Sequence, residues 1–236
     1  MNPSSQSQSF GGFGGRLRLA LVALAVAVLG LVSVAPPAGA AIDRSDLPTR
    51  STVKTVLDGV GPWRGYTYGD TRALGARPGS CRSDLQMGAF RADRGRGYYG
   101  SAAGSPADVG TLAKVDVYRY ASVRAAKRAL TRNASYPDRC PRVVEWVCTQ
   151  CDGVWTTWRT RVPAARVGAQ SVAWRFREIS NAKANGYTIL ARRGATVVRV
   201  TVGRERYPDD GPFTYPERIS KKKAISLARI ALRTAT

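Results

Sequence analysis

Apolar and polar positions change period several times along this chain, and each change predicts an element. Leu19 to Val34 is an uncharged apolar run, preceded by Arg16 and Arg18 and followed by Pro36-Pro37 and Ala38-Gly39-Ala40. A charged start, a greasy stretch and a small-residue site, in that order, make residues 1–40 a secretory signal cleaved after Ala40. Retention as an anchor is the rival reading, because an apolar stretch of about 18 residues can cross a bilayer. No cysteine follows the run to carry a lipid, and Leu17 separates the two arginines, so the general secretory route is expected. Residues 41–236 then fit one domain at the usual ~100–200 residues, large enough to bury a core and with no further membrane span.

Ser51 is placed to cap a short helix with Val53, Val56 and Leu57 on one face, stopped by Asp58-Gly59. Glycines punctuate the chain from Gly65 to Gly110, leaving room only for short strands such as one at Leu85 to Phe90. A cleft wall or a mobile loop fits here. Val115, Val117 and Tyr118 to Tyr120 form a β-rich run entering a helix N-capped by Ser122 and ending near Asn133. That helix sets Val123, Ala126 and Leu130 against Arg124, Lys127, Arg128 and Arg132. Val143 to Val162 predicts a hairpin turning at Asp152-Gly153. Ser171 to Ile179 alternates Val172, Trp174 and Phe176 with Arg175 and Arg177. Tyr187 to Arg192 and Ala195 to Val202 flank Arg193-Gly194 as a second hairpin, with Val198, Val200 and Val202 opposite Arg199 and Thr201. Beyond Pro208, Pro212 and Pro216, a helix from Ser220 spaces Ala224, Leu227, Ala228 and Ala231 along one stripe.

Runs of strands beside helices predict an α+β domain, a mainly antiparallel sheet with helices packed on one face. If Trp174 and Phe176 face that core, then Arg175, Arg177, Arg199, and with them Arg159 and Arg161, line the opposite face. Such a face is either a solvated back, the plainer reading, or the floor of an anion-binding groove.

Charge strengthens the second possibility without deciding it. The chain carries a formal net charge of +21, and loss of residues 1–40 removes only two of its positive charges. An exported protein meets little nucleic acid, so the fitting anions are wall polymers, lipid head groups or acidic glycans. Only seven of the 37 basic residues are lysine, and a GC-rich genome produces the same arginine excess whatever the protein does. Nothing in the pattern fixes an oligomeric state.

The order just described resembles a known family. A strand ending at Tyr118 and Tyr120, an alanine-rich helix with Ala125, Ala126, Ala129 and Leu130, Cys140 beyond its end, the hairpin through Gly194 and the closing helix are similar to the extracellular sensor domain of the mycobacterial kinase PknH. The resemblance covers most of residues 46–234. It implies a twisted sheet with helices and an open cleft that binds an extracellular ligand. No kinase domain accompanies it, so signalling would need a partner.

Four cysteines in an exported chain point to two disulfides, and three connectivities are open. The resemblance implies Cys81 with Cys140, as in the family's first bridge. Cys151 matches its third cysteine, the fourth is missing, and Cys148 stands instead, which implies Cys148 with Cys151. A regular hairpin turning at Asp152-Gly153 would point residues 148 and 151 to opposite faces, so either the turn starts earlier or their partners differ.

The absence of histidine removes histidine general bases, Ser-His-Asp and Cys-His constellations and the commonest metal ligand. Cys148-Thr149-Gln150-Cys151 has redox spacing but lies in a strand context, where a structural disulfide is the stronger reading. A zinc site would need all four cysteines reduced. Glu145 and Glu178 read as ion-pair partners rather than a glycosidase pair. Asp209-Asp210 reads as a turn former rather than a calcium site. Trp146, Trp155, Trp158 and Trp174 read as core before sugar platform. Lys221 to Lys223 open a helix, where positive charge is unfavourable, which hints at an anion surface. The expectation is therefore a cell-envelope binding or sensor-like module, not an enzyme, with no cofactor or metal, and an anionic or amphiphilic ligand. The competing expectations are an exported thiol-redox or hydrolytic enzyme and a structural wall protein held by charge.

Overall fold

Runs of β-branched and aromatic residues assemble into eight antiparallel strands in the order β1-β2-β3-β8-β7-β6-β5-β4. The computed structural model describes residues 42–57, 64–67, 81, 92–101, 109–146, 154–180, 182–206 and 214–236, all within one compact unit. The predicted signal at 1–40, the strand at Leu85 to Phe90, the Asp58-Gly59 stop, Asp209-Asp210, the Asp152-Gly153 turn and both Cys148 and Cys151 lie outside the described residues.

The strands are β1 (Arg64–Thr67), β2 (Ala92–Ser101), β3 (Val109–Arg119), β4 (Arg142–Trp146), β5 (Val154–Val162), β6 (Gln170–Ile179), β7 (Lys183–Arg193) and β8 (Thr196–Arg206). β4 to β8 run as a meander, and β8 then pairs with β3 rather than extending the sheet to a free edge. The β7–β8 turn holds Gly194 at a φ of 55°, a backbone region that disfavours side chains, which explains the Arg-Gly signal in the sequence.

Among the described residues four α-helices join the sheet: α1 (Arg50–Val56), α2 (Val123–Ala134), the single turn α3 (Tyr136–Arg139) and α4 (Lys221–Thr234). Ser122 caps α2 by accepting from the Ala125 amide, as the sequence predicts, and Ser220, where the sequence places the start of the closing helix, caps α4 by accepting from the Lys223 amide. Thr49 rather than Ser51 caps α1, because the helix begins one residue before Ser51.

The α+β class, the antiparallel sheet and the Cys81–Cys140 bridge are all present, with Cα atoms 5.4 Å apart at the disulfide. The helices divide between the sheet's faces instead of packing on one as expected, because the central strands are apolar at both parities. α4 and α1 pack against Val115, Val117, Ile189, Ala191, Val198 and Val200. α2 and α3 pack against Tyr118, Leu190, Val197 and Trp174 on the other side. Alanines at 224, 228 and 231 are fully buried and let α4 lie close on this sheet, while Leu227 fills the space between strands. A buried leucine of this kind stabilises by about 1.5–3 kcal/mol. At one end of the sheet's interior strands, Arg119 donates to Asp46 at 2.5 Å, latching the N-terminal turn to the end of β3.

Candidate functional site

Cover by α2 and α3 is partial, and a groove of about 320 Å³ lies beside them on the same face. Among the described residues no helix lies over it. Strand alternation supplies its floor: Leu112 and Lys114 from β3, Arg199, Thr201 and Glu205 from β8, Thr188 from β7, Trp174, Phe176 and Glu178 from β6, and Thr157 and Arg159 from β5.

Two glycines explain why an aromatic ring can lie so low there. Gly186 and Gly203 are cross-strand partners, and Gly186 also faces Phe176. A Cβ on Gly186 would stand 2.9 Å from Phe176 Cε1, and one on Gly203 2.9 Å from its Cζ. The ring therefore rests on bare backbone, which is what glycine in a strand interior permits.

The cations of the groove are held in place. Arg199 donates from Nε to Oδ2 of Asp116 at 2.6 Å, and that carboxylate is wholly buried, with Lys114 Nζ 4.0 Å from its other oxygen. The Arg199 guanidinium lies 5.9 Å from the Tyr118 ring centre, and that of Arg159 lies 5.1 Å from Tyr136. Both arginines thus stand where the helical cover ends, oriented by rings that belong to the α2–α3 cluster. Thr188 and Thr201 share a hydrogen bond of 3.1 Å, and Thr157 donates to Glu178 at 3.3 Å. Lys114, Arg159 and Arg199 are matched in number by Asp116, Glu178 and Glu205, so the groove is balanced in charge and mixed in polarity.

The five arginines expected on one face are split by the register. Ala173 aligns with Ile189 and Val200, so Trp174 and Phe176 share a face with Arg199, not with Val198, Val200 and Val202. Arg175 and Arg177 go to the α4 side instead, where Arg177 lies 5.4 Å from the Tyr215 ring. Arg161 aligns with Trp174 but is exposed and pairs with Asp138 of α3 at 3.2 Å. Of the predicted set, the groove contains Arg159 and Arg199. The expected shared face fails because both faces of this sheet are buried in its middle, and alternation alone then cannot say which positions of adjacent strands match. Trp174 is 2% exposed and sits in the α2–α3 cluster, as the core reading expects. Lys221, at the start of α4, donates to the Pro163 carbonyl at 3.2 Å and so anchors the helix locally.

No family profile matches the chain, and no curated protein matches it. Among solved structures, the extracellular domain of PknH from Mycobacterium tuberculosis matches with a TM-score of 0.51 at 11% identity, over 84% of this chain and 98% of that one. The likeness is one of fold. The Rv0999 ortholog of Mycobacterium smegmatis, an uncharacterized protein, also matches, with a TM-score of 0.39 at 11% identity over 85% and 98% of the two chains. The element order from which the resemblance to the PknH sensor domain was read is thus matched at the level of architecture, and the Cys81–Cys140 bridge occurs where that resemblance implies it.

Site residues that sequence reasoning missed include Asp116, Lys114, Thr188, Glu205, Gly186 and Gly203. Asp116 was legible as a lone acid interrupting a β-rich run between Val115 and Val117. The glycines carried a signal too, since each interrupts a strand where a turn would be out of place.

Proposed function

We propose that the chain is an exported, sensor-like binding module of the cell envelope, and that its ligand is an amphiphile taken up in the groove beside α2 and α3. One observation carries this reading: an apolar floor of Phe176 and Leu112 continues into two oriented guanidinium groups and three threonine hydroxyls, with the groove's three cations offset by Glu178 and Glu205 in the lining and by buried Asp116 beneath Arg199. A simple anion gains little from a balanced lining, whereas a molecule with an apolar part and a polar head uses all of it. The fold-level likeness to the PknH extracellular domain supports a sensor-like role, and export is supported by the signal-like order of residues 1–40. Among the described residues no helix is long and apolar enough to cross a membrane.

A thermal-shift series on the purified protein tests the reading, using envelope lipids and their detergent-like analogues at low and moderate salt. A ligand at a hundred times its Kd stabilises by about 2.7 kcal/mol, a readily measured shift. Thr201→Trp, which fills the groove from its floor, is expected to abolish that shift without lowering the unliganded melting temperature by a comparable amount. Equal shifts in both proteins, or none in either, sink the groove as the site.

A further inference from the structure

Trp158 departs from the core reading of the tryptophans. Trp174 is buried in the α2–α3 cluster, whereas Trp158 belongs to neither core cluster and is only half-buried. Its strand neighbours Thr157 and Arg159 line the groove, so alternation turns Trp158 and Thr160 to the α4 side. The helix α4 itself lies along β7 and β8. Farther out on the same face, Arg142, Thr160 and Arg177 are exposed, and Arg175 is half-buried like Trp158.

Register fixes how these side chains are set out. Trp158 stands between Arg142 of β4 and Arg177 of β6, and Thr160 stands opposite Arg175. β4 begins at Arg142, so Thr160 has no β4 partner and lies at a corner of the sheet. Strands about 4.8 Å apart and same-face rows about 6.8 Å apart put the backbones of Arg142 and Arg175 about 12 Å from each other, diagonally across Trp158 and Thr160. Arg177 is taken up by the Tyr215 ring at 5.4 Å and is left out of the count. Arg142 reaches the outer limit of a ring contact, its guanidinium carbon 5.8 Å from the Trp158 ring centre. The ion pairs among the described residues engage neither Arg142 nor Arg175.

We propose that this corner binds an acidic polysaccharide, with one sugar ring stacked on Trp158 and carboxylates of the same chain on Arg142 and Arg175, at a site separate from the groove. A pyranose presents a face of C–H groups, and these meet the negative face of an aromatic ring. The planar fork of a guanidinium group matches the two oxygens of a carboxylate, and the Thr160 hydroxyl donates to or accepts from sugar hydroxyls. A small ligand is held by a concave pocket, whereas contacts about 12 Å apart on one sheet face suit an extended chain. An indole between two cations calls for a ring between two charges, which a glycan supplies and a glycerol phosphate chain does not. A nucleobase also stacks on an indole beside arginine, so nucleic acid is a comparator in the test.

Calorimetric titration of the purified protein with galacturonate oligomers at low salt tests this, beside neutral glucan oligomers, poly(glycerol phosphate) and a single-stranded oligonucleotide. The galacturonate chain is expected to bind most tightly. Trp158→Ala is expected to weaken it about tenfold, and Trp158→Phe, which keeps a ring, by no more than about threefold. Arg142→Gln with Arg175→Gln is expected to weaken it about tenfold and to flatten its salt dependence. That double variant alters no core side chain, so it reads the site even should Trp158→Ala not fold. Arg124→Gln with Arg128→Gln on α2 removes the same charge and is expected to leave binding unchanged. Equal losses in the two double variants would reduce the effect to net charge and overturn the proposal. Failure of the galacturonate chain to bind, tighter binding of any comparator, or undiminished binding by Trp158→Ala overturns it too. The groove reading stands or falls separately, because Thr201→Trp alters the opposite face.

Discussion

The two faces of this sheet are made from the same strands, yet among the described residues one end of one face is balanced in charge and the same end of the other is basic. On the groove side, Asp116 is buried beneath Arg199, and Glu178 and Glu205 accompany the cations. On the α4 side, Arg177 and Lys183 meet the Tyr215 ring, Arg204 meets Glu217 and Arg206 donates to Thr214. The lesson concerns where a high net charge acts. A chain at +21 spreads its excess unevenly, and the pleat concentrates it: neighbouring residues along β8, Arg204, Glu205 and Arg206, send unlike charges to opposite faces.

The contrast is sharpest at the acids. Asp116→Ala removes a wholly buried partner of Arg199, and breaking a buried pair is expected to cost about 3–5 kcal/mol. Glu217→Ala removes an exposed partner of Arg204 and is expected to change stability by less than about 0.5 kcal/mol. Urea unfolding of the two variants measures the difference; similar losses would erase the distinction between the faces.

A middle-sized effect is expected from Gly186→Ala. The added Cβ would meet the Val202 carbonyl oxygen at 2.0 Å and Phe176 Cε1 at 2.9 Å, so the ring must rise and the strands must shift. Overpacking of this kind costs about 1–3 kcal/mol. Loss of stability together with weakened groove binding would tie the glycine pair to the site; loss of stability with groove binding intact would confine its role to packing.

The smallest effect concerns acid. Asp43 accepts hydrogen bonds from the hydroxyl and amide of Ser45 and from the amide of Asp46, on the α4 side of the molecule, and these hold its carboxyl below the ordinary value of 3.8. The folded state therefore favours the carboxylate, and the contribution is present above that value and lost as pH falls through the lower folded one. Melting temperatures of wild type and Asp43→Asn are expected to differ slightly near neutrality and to converge in acid. A difference that persists unchanged at the acid end would show that charge is not its origin.

Much of the architecture was legible because its signals are local. The serine cap of α2, the start of α4 at Ser220, the Arg-Gly turn between β7 and β8 and the alanine stripe of the closing helix all depend on residues within a few positions of one another. β2 escaped notice because Arg94-Gly95-Arg96-Gly97 offers no apolar alternation, and its strand form depends on pairing with β3. The candidate site was legible only in part. Arg159 and Arg199 were named, but their union with Phe176 and their separation from Arg175 and Arg177 follow from inter-strand register. Register is fixed by which sites bury against α4 and which against α2, and no single strand carries that information.

The pairing of β3 with β8 has a consequence for how the chain attains its structure. Asp116 and Arg199 meet across 83 positions of sequence, so the middle of the sheet closes only when nearly the last strand is in hand. Contacts of such separation are slow to form, because closing the intervening loop costs entropy before any partner is gained. Until then β3 presents a bare hydrogen-bonding edge, and any chain ending before Thr196 would keep that edge permanently, open to pairing with strands of other molecules.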